Sequence, residues 1–252
     1  FSGISGLDNS TTSNLYVSIE GDDSNDGSDS APLETIKKAL EKIYIPEGET
    51  ITIQLEPGIY TGGRSSGFPI QAMDRLILKG SGSNGSDASV LDGGGQKTIL
   101  NADNVDGFRL ETLELTDGYS INYAGALNCK NSSVTLNEIN LNDNSSGIYG
   151  GAIFSVNSTI QLQNSVLSQN STDFGGGTAY LKSSTLEIID SNIEDSESQQ
   201  DGGALFIQNS ELIVSNSSFE SNYAHDGNGG AIYADSSNIV INNESLLSDN
   251  FS

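Results

Sequence analysis

Acid–base chemistry on a polymer needs two carboxyl groups held roughly 5–9 Å apart, and this sequence offers few places to find them. Asp22-Asp23 is the only adjacent aspartate pair, and Glu187 and Glu211 are spaced so that neighbouring units of a repeat would bring them together. The single histidine, His225, stands between Ala224 and Asp226, and the only arginines are Arg64, Arg75 and Arg109. Cys129 is the one cysteine, which excludes an intrachain disulfide and a cysteine-based zinc site and reads as a core or turn thiol. Asp22, Ser24 and Asp26, followed by Gly27, have the spacing that opens a calcium loop. No glutamate closes that loop, so a solvated Asx turn is the expected reading and calcium the alternative. No catalytic residue and no cofactor is expected.

Asn-x-Ser/Thr sequons are dense: Asn9, Asn84, Asn131, Asn144, Asn157, Asn170, Asn216, Asn243 and Asn250. In a secreted protein each would be a candidate glycan acceptor. Asn and Ser are also favoured at tight turns in any compartment. A stacked, buried Asn cannot carry a sugar, whereas an outward one can.

The elements that would position these residues are set by a repeat. Gly150-Gly151-Ala152-Ile153-Phe154 recurs at Gly176-Gly177-Thr178-Ala179-Tyr180, Gly202-Gly203-Ala204-Leu205-Phe206 and Gly229-Gly230-Ala231-Ile232-Tyr233, with a worn copy at Ala124-Gly125-Ala126-Leu127-Asn128. The second glycines, Gly125, Gly151, Gly177, Gly203 and Gly230, are 26, 26, 26 and 27 residues apart. Apolar pairs two residues apart run in step: Phe108/Leu110, Val134/Leu136, Ile160/Leu162, Leu186/Ile188 and Leu212/Val214. Five residues after each comes Leu115, Leu141, Leu167, Ile193 or Phe219. An i, i+2 spacing puts both side chains on one face of a strand, and a fixed period means one unit stacked on copies of itself. The expected fold is all-β: a parallel β-solenoid of about eight coils, roughly 38 Å long at a rise of 4.8 Å. Small Ala126, Ala152, Thr178, Ala204 and Ala231 suit a tight inward corner. Phe154, Tyr180, Phe206 and Tyr233 form an aromatic ladder, read as internal stacking with an exposed sugar-binding strip as the alternative. Asn144, Asn170 and Asn222 form an amide ladder, and Asn164, Asp190 and Asn216 a further turn series.

Residues 1–14 read as a loose linker and 15–252 as one domain: an opening strand and helix over 15–50, irregular coils over 51–107, and regular coils over 108–252. The helix is expected from Pro32 to about Ile43, with Leu33, Ile36, Leu40 and Ile43 as its apolar stripe and Lys37, Lys38 and Lys42 in water. It would plug the N-terminal end of the solenoid. Loops at 62–68 and 81–89 are where a groove outside the regular coils would lie. The last coil begins near Ile239 and Ile241, with Leu246 and Leu247 both fitting its ladder.

The formal charge of −24 argues against nucleic acid and anionic membrane surfaces and suits a self-repelling extracellular surface. No apolar run is long enough for a membrane span. The absence of a closing segment after the last coil leads to the expectation of head-to-tail self-association through that end, or of further chain.

The repeat Gly-Gly-Ala-[Ile/Leu]-[Phe/Tyr], with Phe219-Glu220-Ser221-Asn222, resembles the repeats of polymorphic outer membrane proteins of chlamydiae. The opening, from Leu15-Tyr16-Val17 through Gly21-Asp22, Asp26-Gly27, Pro32 and Thr35-Ile36 to Pro57-Gly58-x-Tyr60, resembles that of pectin-lyase-like proteins. Together these imply a right-handed parallel β-helix over about residues 15–250. The chlamydial resemblance implies adhesion, although most copies here carry Leu or Ile in place of Phe, and one carries Ser196 in place of Asn. Hydrolases of this fold resemble one another in an Asp-Asp pair, a Gly-His-Gly segment and an Arg-x-Lys segment, and lyases in an acidic calcium cluster with an Arg or Lys base. This sequence lacks those combinations. The expectation is a non-catalytic extracellular or cell-surface rod, a filament subunit in the simplest case. An adhesin binding host or carbohydrate is the alternative, and a polysaccharide lyase or hydrolase the lesser one.

Overall fold

A computed structural model describes residues 13–62, 67–242 and 244–252. Asn9, Arg64 and Asn243, most of the expected 1–14 linker and the centre of the 62–68 loop lie outside the described residues.

The chain winds as a parallel β-helix. Its longest ladder takes nine strands in chain order: Leu15–Val17, Ile51–Leu55, Leu76–Lys79, Phe108–Thr116, Ser133–Asn142, Thr159–Gln163, Thr185–Ile189, Glu211–Ser215 and Asn238–Asn242. A second sheet stacks seven strands from Ile70–Gln71 to Ile232–Asp235, and a third stacks five from Tyr119–Ser120 to Tyr223–Ala224. Every pairing between these strands is parallel, and regular coils register residue for residue at the repeat spacing, as in Val134↔Ile160 and Ile160↔Leu186. Returns to a parallel neighbour are right-handed for reasons of strand twist, so the solenoid is right-handed. It makes about seven complete turns, one for each strand of the second sheet. The eighth expected coil has first-sheet strands at Asn238–Asn242 and Leu246–Ser248 and no strand in the second sheet. Phe219 pairs with Leu247, which fixes the register left open between Leu246 and Leu247.

The apolar pairs found by spacing are the core: Phe108, Leu110, Val134, Leu136, Ile160, Leu162, Leu186, Ile188, Leu212 and Val214 are all buried in one continuous cluster. The glycine pair divides two tasks. The first glycine takes positive φ, between 65° and 72° at Gly150, Gly176, Gly202 and Gly229. Ala124 in the worn copy takes φ 51° instead. The second glycine meets backbone: a Cβ on Gly151 would collide with the Gly177 carbonyl oxygen, and one on Gly203 with that of Gly230.

Helix α1 spans Ile36–Lys42, shorter than expected. Thr35 is its N-cap, its side chain accepting from the Lys38 amide at 3.0 Å. Pro32 lies before the helix because Leu33 is held in extended backbone, bridging Val17 in parallel. The apolar stripe is therefore Ile36, Ala39 and Ile43, buried with Leu33, while Leu40 is only partly covered. Lys42 is not free in water; its Nζ donates to the Asn25 carbonyl at 2.6 Å. The helix packs on the opening strand at the N-terminal end of the stack. The buried Tyr60 explains the Pro-Gly-x-Tyr signature, since its hydroxyl sits 3.0 Å from the Val17 carbonyl and 2.9 Å from that of Glu56. No helix among the described residues is long and apolar enough to cross a membrane.

Candidate functional site

Each regular coil turns three corners, and between Asn157 and Asn222 each corner is built the same way. One exposed residue adopts left-handed φ, and the next is a buried Ser or Asn. At the first corner Asn131, Asn157, Ser183 and Asn209 have φ of 49–51°. The buried serine after each accepts the backbone amide of the serine one coil earlier: Ser132 donates to Ser158 Oγ, Ser158 to Ser184 and Ser184 to Ser210, each at 3.1 Å. The second corner repeats this through Ser165, Ser191 and Ser217. At the third, Asn144 Oδ1 accepts from Gly118 N at 2.9 Å, Asn170 Oδ1 from Asn144 N at 3.1 Å, and Asn222 Oδ1 from Ser196 N at 3.1 Å. Serine ladders run beside the amide ladder, and their sequence signal is the same period at Asn131-Ser132, Asn157-Ser158, Ser183-Ser184 and Asn209-Ser210. Asn164, Asp190 and Asn216 are the exposed left-handed residues of the second corner, a turn series at the repeat spacing in which Asn216 donates to Asp190.

These corners sort the glycosylation candidates. Asn144 and Asn170 are fully buried with both side-chain ends bonded, so neither can carry a sugar in the folded chain. Asn250 is half-buried and accepts from Asn222, continuing the ladder. Asn84, Asn131, Asn157 and Asn216 are exposed.

The other sequence candidates are dispersed. Asp22 accepts from the Ser24 amide at 2.8 Å and Asp26 from the Ser28 amide at 2.9 Å, both as Asx turns. Those backbone hydrogen bonds hold both carboxyls below their ordinary range. No group of three or more His, Cys, Asp or Glu among the described residues is arranged to hold a metal ion. Asp23 is structural: it accepts from the Glu34 and Thr35 amides and from the Thr35 hydroxyl, tying the turn to the helix cap. Glu187 accepts from Gln161 at 2.8 Å, whereas Glu211 bonds Asn238. His225 lies 3.2 Å from Glu197. Arg75 donates to the Glu49 carbonyl, and Arg109 shares Glu111 with Lys79. Cys129 is buried, and burial pushes its thiol up to about 11.

Two groupings remain, and the first is not evident from motifs. The first is an acidic corner where the irregular coils meet the regular ones: Asp92, Glu114, Asp117 and Asp143. Burial pushes Glu114 upward, and the Asp143 charge adds to this against an opposing hydrogen bond from Asn142. Burial also raises Asp117, with Asp92 and Asp143 adding repulsion. Asn140, paired with Glu114 across the ladder, and Asn142 each have a buried side-chain oxygen with no hydrogen-bond partner. Carboxyls pushed upward by burial beside other acids resemble the electrostatic pattern of an acid–base pair. The one sequence signal was the 26-residue spacing of Asp117 and Asp143.

The second grouping is aromatic. Phe154, Tyr180, Phe206 and Tyr233 stack in register on the outer face of the second sheet, apart from the main core. Tyr123 stacks on Phe154 and Tyr149 on Tyr180, each at 4.3 Å between ring centroids. Internal stacking accounts for the ladder, and a second aromatic row covers it.

Fold and corners together define a parallel β-helix protein of the pectin-lyase-like class. A profile for the family described as "Protein of unknown function (DUF1565)" matches residues 19–250, and the chain belongs to that family. Among solved structures, a rhamnogalacturonan lyase superposes with a TM-score of 0.54 at 12% identity, covering 93% of this chain and 66% of its own length. The chain thus spans about two thirds of that structure, and the likeness is one of fold alone. The pectin methylesterase PemA from Erwinia chrysanthemi aligns with a TM-score of 0.47 at 14% identity, over 90% of this chain and 82% of its own. No curated protein matches the sequence.

Proposed function

We propose that this chain is a non-catalytic β-helix rod of an extracellular or cell-surface structure, in the simplest case a subunit that associates head to tail. The observation that carries this reading is the set of corner ladders. In the regular coils the buried Ser and Asn of the corners hold one coil on the next, and the catalytic candidates read from the sequence are bonded to separate structural partners. The formal charge of −24 keeps such rods apart laterally and soluble. The likeness of the repeats to chlamydial outer membrane proteins supports a surface location.

Immunolabelling electron microscopy of the native material tests this. Label on the cell surface or on extracellular fibres is expected, and label confined to the cell interior would overturn the reading.

A further inference from the structure

We propose that the stacked turns beside the aromatic rows bind an extended polypeptide segment, apolar at one end and rich in Arg or Lys at the other. Each regular coil crosses such a turn between the third sheet and its glycine pair, and the turns are tied coil to coil by their backbone. The Ile148 amide donates to the Asn122 carbonyl, Gly175 to that of Ile148, Gln200 to that of Phe174 and Asp226 to that of Gln199. Tyr123 bridges Tyr149, and Tyr149 bridges Gly175, in parallel. The row is therefore a fixed surface, and its two ends differ. The earlier turns are apolar: Ile121 is 72% exposed, Phe174 50% and Tyr123 37%. These three side chains belong to neither buried cluster, so the solenoid does not need them to fill its interior. Contiguous exposed apolar surface of this kind marks an interaction site. The later turns carry Glu197, Asp201 and Asp226, and Asp173 stands beside Phe174 where the two halves meet.

Charge and ring geometry narrow the partner. In the sheet column beside the rings, Asp103 and Asp235 offset Lys130 and Lys182. The turns themselves contain four carboxylates and no Lys or Arg, so they set the local sign. Asp201 accepts from the Asn228 backbone and side-chain amides, and Glu197 lies 3.2 Å from His225. Phe174 stands edge-on to Tyr149, at 72° and 5.5 Å between centroids, so its faces are not covered by the stack. An open ring face takes a guanidinium or ammonium group, and the Asp173 carboxylate is the adjoining counter-charge. A second copy of this chain, with formal charge −24, would be repelled. A small polyamine would meet the carboxylates and leave the apolar end unused. A basic peptide with an apolar end uses both. From Ile121 to His225 the row spans four coil steps, roughly 19 Å at 4.8 Å each, which an extended segment of about six residues covers.

Titration calorimetry of the whole chain with the end-blocked peptide Phe-Leu-Phe-Arg-Lys-Arg, and with the same sequence reversed, tests this. The controls are the same peptides with Ser for the apolar residues or Glu for the basic ones, and spermine. At least one of the two amphipathic peptides is expected to bind, more weakly as salt is raised from ~50 to ~300 mM. Phe174→Ala, at an exposed position, is expected to weaken binding about tenfold, and Phe174→Tyr to keep it. Asp173→Asn is expected to weaken it about threefold. Binding of neither amphipathic peptide at ~1 mM would overturn the proposal. So would an affinity unchanged by Phe174→Ala, or matched by the Ser peptides, the Glu peptides or spermine. Immunolabel confined to the cell interior would instead count against the surface rod and leave this flank standing.

Discussion

Asn170 shows how much of the stack a single buried amide holds. Its Oδ1 accepts from the Asn144 amide, and its Nδ2 donates to the Leu141 carbonyl at 2.9 Å. Asn170→Ala leaves both backbone groups buried without partners and is expected to cost about 2–4 kcal/mol, read as a lower urea midpoint. The position was legible because its period matched Asn144 and Asn222. The relation between two departures from the period was not. Ser196 replaces the amide in one coil, and Thr178 replaces alanine in the same coil, their hydroxyl oxygens 2.7 Å apart. The neighbouring coils pair Ala152 with Asn170 and Ala204 with Asn222. A shorter corner side chain thus goes with a longer one facing it. Ser196→Asn alone is expected to crowd Thr178 and lower stability by about 1–3 kcal/mol, with Thr178→Ala recovering at least ~1 kcal/mol of it in a double-mutant cycle. Additive losses would break the pairing. Sequence periodicity reports each column of the ladder separately, whereas this contact joins residues 18 apart within one coil.

At the scale of the coil, the corners set what can be changed. Gly203 packs against backbone that cannot move aside, so Gly203→Ala is expected to cost about 3 kcal/mol or more. Ser183 occupies a left-handed corner filled by Asn131, Asn157 and Asn209 in the same series. Ser183→Asn is expected to raise the unfolding free energy by a few tenths of a kcal/mol, because Asn tolerates that conformation better. A loss at Ser183→Asn comparable to that at Gly203→Ala would mean the corners are not interchangeable. The repeat made strands and register readable because each strand pairs with a copy of itself. Outside the repeat, sequence logic places the helix start too early. Pro32 suits a first turn, yet Leu33 is taken by a bridge to Val17 and Asp23 fixes the cap at Thr35.

The whole molecule is set by its charge. Glu114 and Asp117 titrate above their ordinary range in the folded chain. The folded state therefore binds more protons than the unfolded one between the ordinary and the raised values. Their contribution is fully favourable below the ordinary carboxylate range and is lost as pH rises through the raised values. Relief of self-repulsion as acids protonate acts in the same direction. Asp22, Asp26 and Asp235 are lowered and act oppositely, but only once the pH falls below the ordinary range. The melting temperature is expected to rise as pH is brought from 7 towards about 5, with a shallower rise in Glu114→Gln. A steady fall over that interval would contradict the placement of the acidic corner. This corner was opaque in sequence because it joins an irregular coil, carrying Asp92, to the first regular ones.

Among the described residues its electrostatics are also the clearest foothold for catalysis, so the most direct test of a non-catalytic rod is to look for bond cleavage there. The chain would be incubated with pectic and neutral polysaccharides between pH 4 and 8, and new chain ends counted by mass spectrometry. No new ends above the protein-free control are expected, for the native chain and for Glu114→Gln alike. New ends made by the native chain and lost in Glu114→Gln would contradict the rod and make the acidic corner an active site.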